Sequence, residues 1–161
     1  MKIQANAIAV ITAALAIGAC SSKGLDMAKV REDVAKAQAD GQKKIAAAQA
    51  EFDKAGAEAK KDITDAKADA SAKSGPATQD AGKDVADARH DASQKLADAR
   101  YGIDKARAEA SYDVALAQCE GQSGETKKSC RDAAKAAYDS AIATAKAAND
   151  SAHRNAQARN G

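Results

Sequence analysis

Tryptophan is absent from this 161-residue chain, which holds one phenylalanine (Phe52), one proline (Pro76) and three tyrosines. Bulky aliphatic side chains are nearly as scarce. From residue 20 onward, Leu, Ile, Val and Phe fill 12 of 142 positions, about 8%. Below roughly 20% a chain struggles to bury a globular core, so a compact enzyme-like domain is not expected. Two options remain: long helices meeting along a thin seam of small residues, or a disordered chain with helical tendency. Also missing are a phosphate loop, a nucleophile elbow, a nucleotide fingerprint and Ca²⁺-loop spacing, so catalysis, a cofactor and a small-molecule substrate are not expected. An excess of one charge is lacking too. Lys and Arg number 25 against 23 Asp and Glu, and the signs are interleaved. Nucleic-acid binding needs surplus positive charge to neutralise phosphates, so no nucleic-acid partner is expected. The same balance argues against a strong electrostatic hold on anionic lipid.

What the chain does have is alanine, at 46 positions, and an apolar leader. A single Lys2 precedes an uncharged run from about Ala7 to Ala19. That is short for a membrane span but has the layout of a secretory signal. It ends in Ile17-Gly18-Ala19-Cys20, which resembles the bacterial lipobox: an aliphatic residue, two small residues, then Cys. The resemblance implies removal of residues 1–19, thioether attachment of diacylglycerol to Cys20, and N-acylation. A plain cleaved signal is disfavoured, because Ile at −3 makes a poor A-x-A site. Ser21 and Ser22 stand where an Asp would favour inner-membrane retention, so the resemblance implies the periplasmic leaflet of the outer membrane. Three acyl chains anchor firmly, since each buried methylene contributes about 0.8 kcal/mol. The Cys-Ser-Ser start is also similar to that of murein lipoproteins. Those end in the Lys that is joined to peptidoglycan, where this chain has Asn160-Gly161, so covalent wall linkage is not expected.

Good helix formers fill most of the remaining chain. The spacing predicts a linker over 20–28, a helix over 29–73, a break over 74–79 at Ser74-Gly75-Pro76, and a second helix over 80–119. A loop over 120–129, a third helix over 130–152 and a frayed tail over 153–161 follow. The fold class is therefore all-α: long Ala-rich helices, coiled-coil-like or in an antiparallel three-helix arrangement. The few bulky residues recur at eleven: Val34 and Ile45, Phe52 and Ile63, Val85 and Leu96, Ile103 and Val114. This period favours nearly straight packing over a left-handed supercoil. It also reflects an internal duplication. Residues 33–66 align without gaps on 84–117 at an offset of 51, with 16 of 34 positions identical, including Lys44/Lys95 and Asp62/Asp113. Thin alanine seams bury little area per chain, so self-association or an envelope protein partner is expected.

Cys119 and Cys130 flank a polar segment with two glycines. On one continuous helix, residues eleven apart stand about 16 Å apart, against under 7 Å between the Cα atoms of a disulfide. Bonding therefore requires the chain to reverse. Gly121 in a left-handed C-cap, Gly124 in a turn, and Ser123 or Thr126 as a cap would allow it. In an oxidising periplasm a structural staple is the leading reading. Free thiols, a redox pair and a metal site are the rivals. A redox pair is normally closer in sequence, and a metal site would need a CxxC or a nearby His. His90 and His153 read as solvated, and Tyr101, Tyr112 and Tyr138 as thickening the alanine seam. The run Tyr112-Asp-Val-Ala-Leu-Ala-Gln-Cys119, with Gly124, Lys127, Cys130 and Ala134-Lys135-Ala136, resembles a group of small proteobacterial TolA-like cell-envelope proteins. That resemblance implies an exported helical protein and supplies no active site. The eleven-residue Ala/Lys/Asp/Glu rhythm also resembles late-embryogenesis-abundant proteins, which implies an alternative: a stress protectant that is helical only conditionally.

Overall fold

The computed structural model describes residues 26–73 and 77–158, the side chains of 77–79 excepted. The leader, Cys20, Ser74-Gly75-Pro76 and the last three residues lie outside the described residues. Three α-helices account for nearly all of what is described: α1, Met27–Ala72; α2, Ala77–Cys119; and α3, Gly124–Ala158. Asp26 starts α1 by accepting from the amides of Ala28 (3.0 Å) and Lys29 (3.2 Å), which satisfies two of the donors that a helix N-terminus leaves open. Lys73 ends it in an extended conformation, with its amide still bonded to the Ala70 carbonyl at 3.3 Å. At 46 residues, α1 is about 69 Å long.

α1 starts at Met27 and α2 at Ala77, two and three residues earlier than expected, and the two largest differences lie at the ends of α3. The loop between α2 and α3 is four residues, 120–123, where ten were expected. The amides of Glu120, Gly121 and Gln122 bond back to the carbonyls of Ala117, Gln118 and Cys119 at 3.1–3.3 Å, tightening the end of α2. Gly124 then turns the chain at φ +57°, the left-handed region that glycine enters without steric cost. The left-handed residue is thus Gly124, and Gly121 is not in that region. The second difference lies at the C-terminus. Residues 153–158 continue α3, because Ala156 is buried and His153 reaches α2.

Successive helices run antiparallel, and α2 lies in the middle. α1 packs on one side of it and α3 on another, and among the described residues no Cα of α1 comes within 8 Å of a Cα of α3. The three helices therefore form an open arrangement rather than a closed triangular bundle. The buried line is built mainly from alanines at the eleven-residue period: Ala81 and Ala92 on α2, continued by Ile103, and Ala134, Ala145 and Ala156 on α3. Of the eight bulky seam residues, Ile103 alone is buried, while the other seven are half-buried. Helices approach closest where side chains are smallest, so larger groups are displaced to the flanks of the seam.

Gly41 marks the tightest approach. A β-carbon there would lie 2.7 Å from the Ala110 Cβ and 3.3 Å from its Cα, whereas nothing stands within 4 Å of one at Gly82 or Gly102. Replacing a helical Gly by Ala ordinarily adds about 1 kcal/mol of stability. Gly82→Ala and Gly102→Ala are expected to show this gain in urea unfolding. Gly41→Ala is expected to show a loss instead, because backbone must move to admit the methyl group. Equal gains at all three positions would contradict the close packing of α1 on α2.

Candidate functional site

Two features rise above the plain helical background: the disulfide corner and the α1–α2 seam. Cys119 ends α2 and Cys130 lies in the second turn of α3. They are joined, with Cα atoms 5.7 Å apart. Cys119 is completely buried. Beside the bond, Glu120 accepts from Lys127 Nζ at 2.6 Å and lies 3.9 Å from Arg131. The Lys127 ammonium holds the Glu120 carboxyl below its ordinary range. Gly121 meets α1: a β-carbon on it would lie 3.6 Å from Val30 Cγ1 and 3.9 Å from Met27 Cε. The corner thus ties the α2–α3 turn to the first turn of α1.

Farther along α2 and α3, Tyr112 and Tyr138 stack with ring centres 5.1 Å apart, at the hairpin where the sequence places them. The other end is closed by a clasp. Asp98 on α2 receives Asn149 Nδ2 at 3.1 Å and lies 2.8 Å from His153 Nε2. His153 was expected to be solvated, but it is half-buried on α2. Nothing in the local sequence distinguishes it, since its partner lies 55 positions away. His90 is likewise half-buried, with Nε2 2.8 Å from Gln94 Nε2. An open groove of about 550 Å³ runs between α2 and α3, lined by alanines, the Tyr112–Tyr138 pair and Thr144. Its charged groups are already engaged, Asp104 lying 3.5 Å from Arg107 and 3.4 Å from Arg100. Among the described residues, no three His, Cys, Asp or Glu gather in a group able to hold a metal ion. Nor is any helix there long and apolar enough to cross a membrane.

The α1–α2 seam carries the imprint of the duplication. Lys44 donates to Asp113 at 2.8 Å, and Lys95 donates to Asp62 at 2.9 Å. Lys95 is the repeat counterpart of Lys44, and Asp113 that of Asp62. The acidic groups near the two lysines correspond as well: Asp113, Glu109 and Asp40 around Lys44, and Asp62, Glu58 and Asp91 around Lys95. Gly41, Ala59, Ala92 and Ala110 are likewise related by the repeat, and all four are buried. The two copies therefore pack on each other about a pseudo-two-fold axis, near which Phe52 and its counterpart Ile103 fall.

These ion pairs set the pH range of the seam. Hydrogen bonding to Lys95 holds Asp62 below its ordinary value of 3.8, and hydrogen bonding to Asp62 and Asp113 holds Lys95 and Lys44 above 10.5. The Asp62 contribution is complete above 3.8 and is lost as acid protonates the folded state. The lysine contributions are complete below 10.5 and are lost as base removes the proton. The contribution of these pairs to urea stability is expected to be flat between those limits, to fall outside them, and to shrink in salt. All four side chains are more than 40% exposed, so these steps are small. A stability maximum centred on the isoelectric point, with no plateau, would contradict this assignment.

No family model, curated protein or solved structure matches the chain.

Proposed function

We propose that the protein is a lipoprotein anchored through Cys20 in the periplasmic leaflet of the outer membrane, with a structural, scaffolding or partner-binding role in the envelope. The observation that carries this reading is the stretch Ile17-Gly18-Ala19-Cys20, placed shortly before a 46-residue helix. A lipid on Cys20 would put the start of α1 close to the membrane, and α1 would extend about 69 Å from its first residue before the chain returns along α2. Helices tied to one another by long-range ion pairs and a disulfide support a scaffold over a protectant that becomes helical only on drying.

Metabolic labelling with palmitate tests the anchor. The full chain is expected to take up label and sediment with outer-membrane vesicles, and Cys20→Ser to lose both properties. An unlabelled wild-type chain recovered from the periplasmic fluid would overturn the proposal.

A further inference from the structure

The α1–α2 interface is complete within each repeat copy. Copy one holds Gly41, Lys44, Ala59 and Asp62, and copy two holds the counterparts Ala92, Lys95, Ala110 and Asp113. Gly41 and Ala59 are 18 residues apart, as are Lys44 and Asp62. Eighteen residues are five turns of an α-helix, so all four groups share one face. In the folded chain Gly41 packs on Ala110, and Lys44 bonds Asp113. Placed antiparallel on a second α1, the same face would set Gly41 against Ala59 and Lys44 against Asp62, twice over. Copy one thus carries both halves of its own complement, and copy two differs in having Ala92 where copy one has Gly41.

From this self-complementarity we infer that the repeat face is a docking surface for a second copy of this chain. The occupant is the repeat face of another molecule, met in the register that α1 and α2 use within one chain. Exchange replaces each intrachain contact by its chemical equivalent, so the seam itself sets no preference between the two. α1 can also leave without straining a covalent cross-link. Among the described residues its helical partner is α2, while α2 and α3 stay joined by Cys119–Cys130. The inference deepens the scaffold reading by naming a partner, and it stands without the lipid anchor.

A zero-length cross-linker tests it, because the paired ammonium and carboxylate groups are 2.8–2.9 Å apart and partly exposed. Full-length chain carrying Cys20→Ser, with the Cys119–Cys130 bond oxidised, is prepared in ¹⁴N and ¹⁵N forms. The forms are mixed, incubated and treated with a water-soluble carbodiimide. Mixed-isotope Lys44–Asp113 and Lys95–Asp62 amides are expected, rising with protein concentration. Lys44–Asp62 amides would support the inference equally, since those residues stand about 27 Å apart on one helix and can join only between chains. Single-isotope amides alone, formed under the same conditions, would overturn it. So would mixed-isotope products spread evenly over the lysines of α3. The palmitate result bears on the anchor and leaves this outcome unchanged.

Discussion

Reducing the Cys119–Cys130 bond is expected to lower the stability of the folded chain by about 3 kcal/mol, the chain-entropy value for a loop of this size. The two cysteines are 11 positions apart and close the shorter of the two hairpins on α2. What the bond supports is a sparse seam. Apart from the Tyr112–Tyr138 pair, the buried groups of α3 are Ala134, Ala145 and Ala156. Three methyl groups bury little apolar area, so the covalent closure is a large share of what fixes α3. In a chain of this length the loss should lower the thermal midpoint by about 10 °C. Circular dichroism melts with and without reductant measure it, and Cys119→Ser with Cys130→Ser should reproduce the reduced curve. Hydrogen exchange should place the first loss of protection in α3. A midpoint unmoved by both treatments would show that the alanine seam and the Asp98 clasp hold α3 unaided.

The sequence revealed the architecture where the signal was local or periodic. Alanine and charge at helical spacing, the Ser-Gly-Pro interruption, and the glycines between the cysteines sufficed for three long helices and a reversal. The eleven-residue rhythm and the abundance of alanine located the seam, but not which alanines line it, nor that Gly41 sets its closest approach. Bulky residues such as Val34, Leu96 and Val114 stand out in a sequence, yet contact distance is set by Gly41 and the alanines, which are indistinguishable from dozens of surface alanines. The duplication was legible, but its consequence was not. Lys44 and Asp62 are simply two charges on one helix until the antiparallel pairing turns them toward their counterparts. The extension of α3 past residue 152 depends on Asn149 and His153 meeting Asp98. No local pattern announces a contact more than 50 positions away.

Ala59→Leu and Ala110→Leu are expected to cost about 2 kcal/mol each, within the range for forcing extra methylenes into a packed seam. Ala59 is 3% exposed and Ala110 8%. They are repeat counterparts, so each enlarges the same kind of site at opposite ends of the α1–α2 seam. Ala110 lies directly against the Gly41 backbone, where no rotamer change can make room. Ala133→Leu, on an exposed position of α3, serves as the control and should change stability by no more than about 0.5 kcal/mol. The location of the damage matters more than its size. Because among the described residues α1 packs on no helix but α2, hydrogen exchange should show α1 losing protection as one unit, while α2 and α3 keep theirs behind the disulfide. Sites this far apart normally add, but here the double variant should cost less than the two singles together. Once α1 has undocked, the second leucine has no partner left to clash with, and the total cannot exceed the docking free energy of α1. Full additivity with protection lost evenly across all three helices would mean that the chain unfolds in a single cooperative step. α1 would then not be separable, and exchange between chains would require complete unfolding.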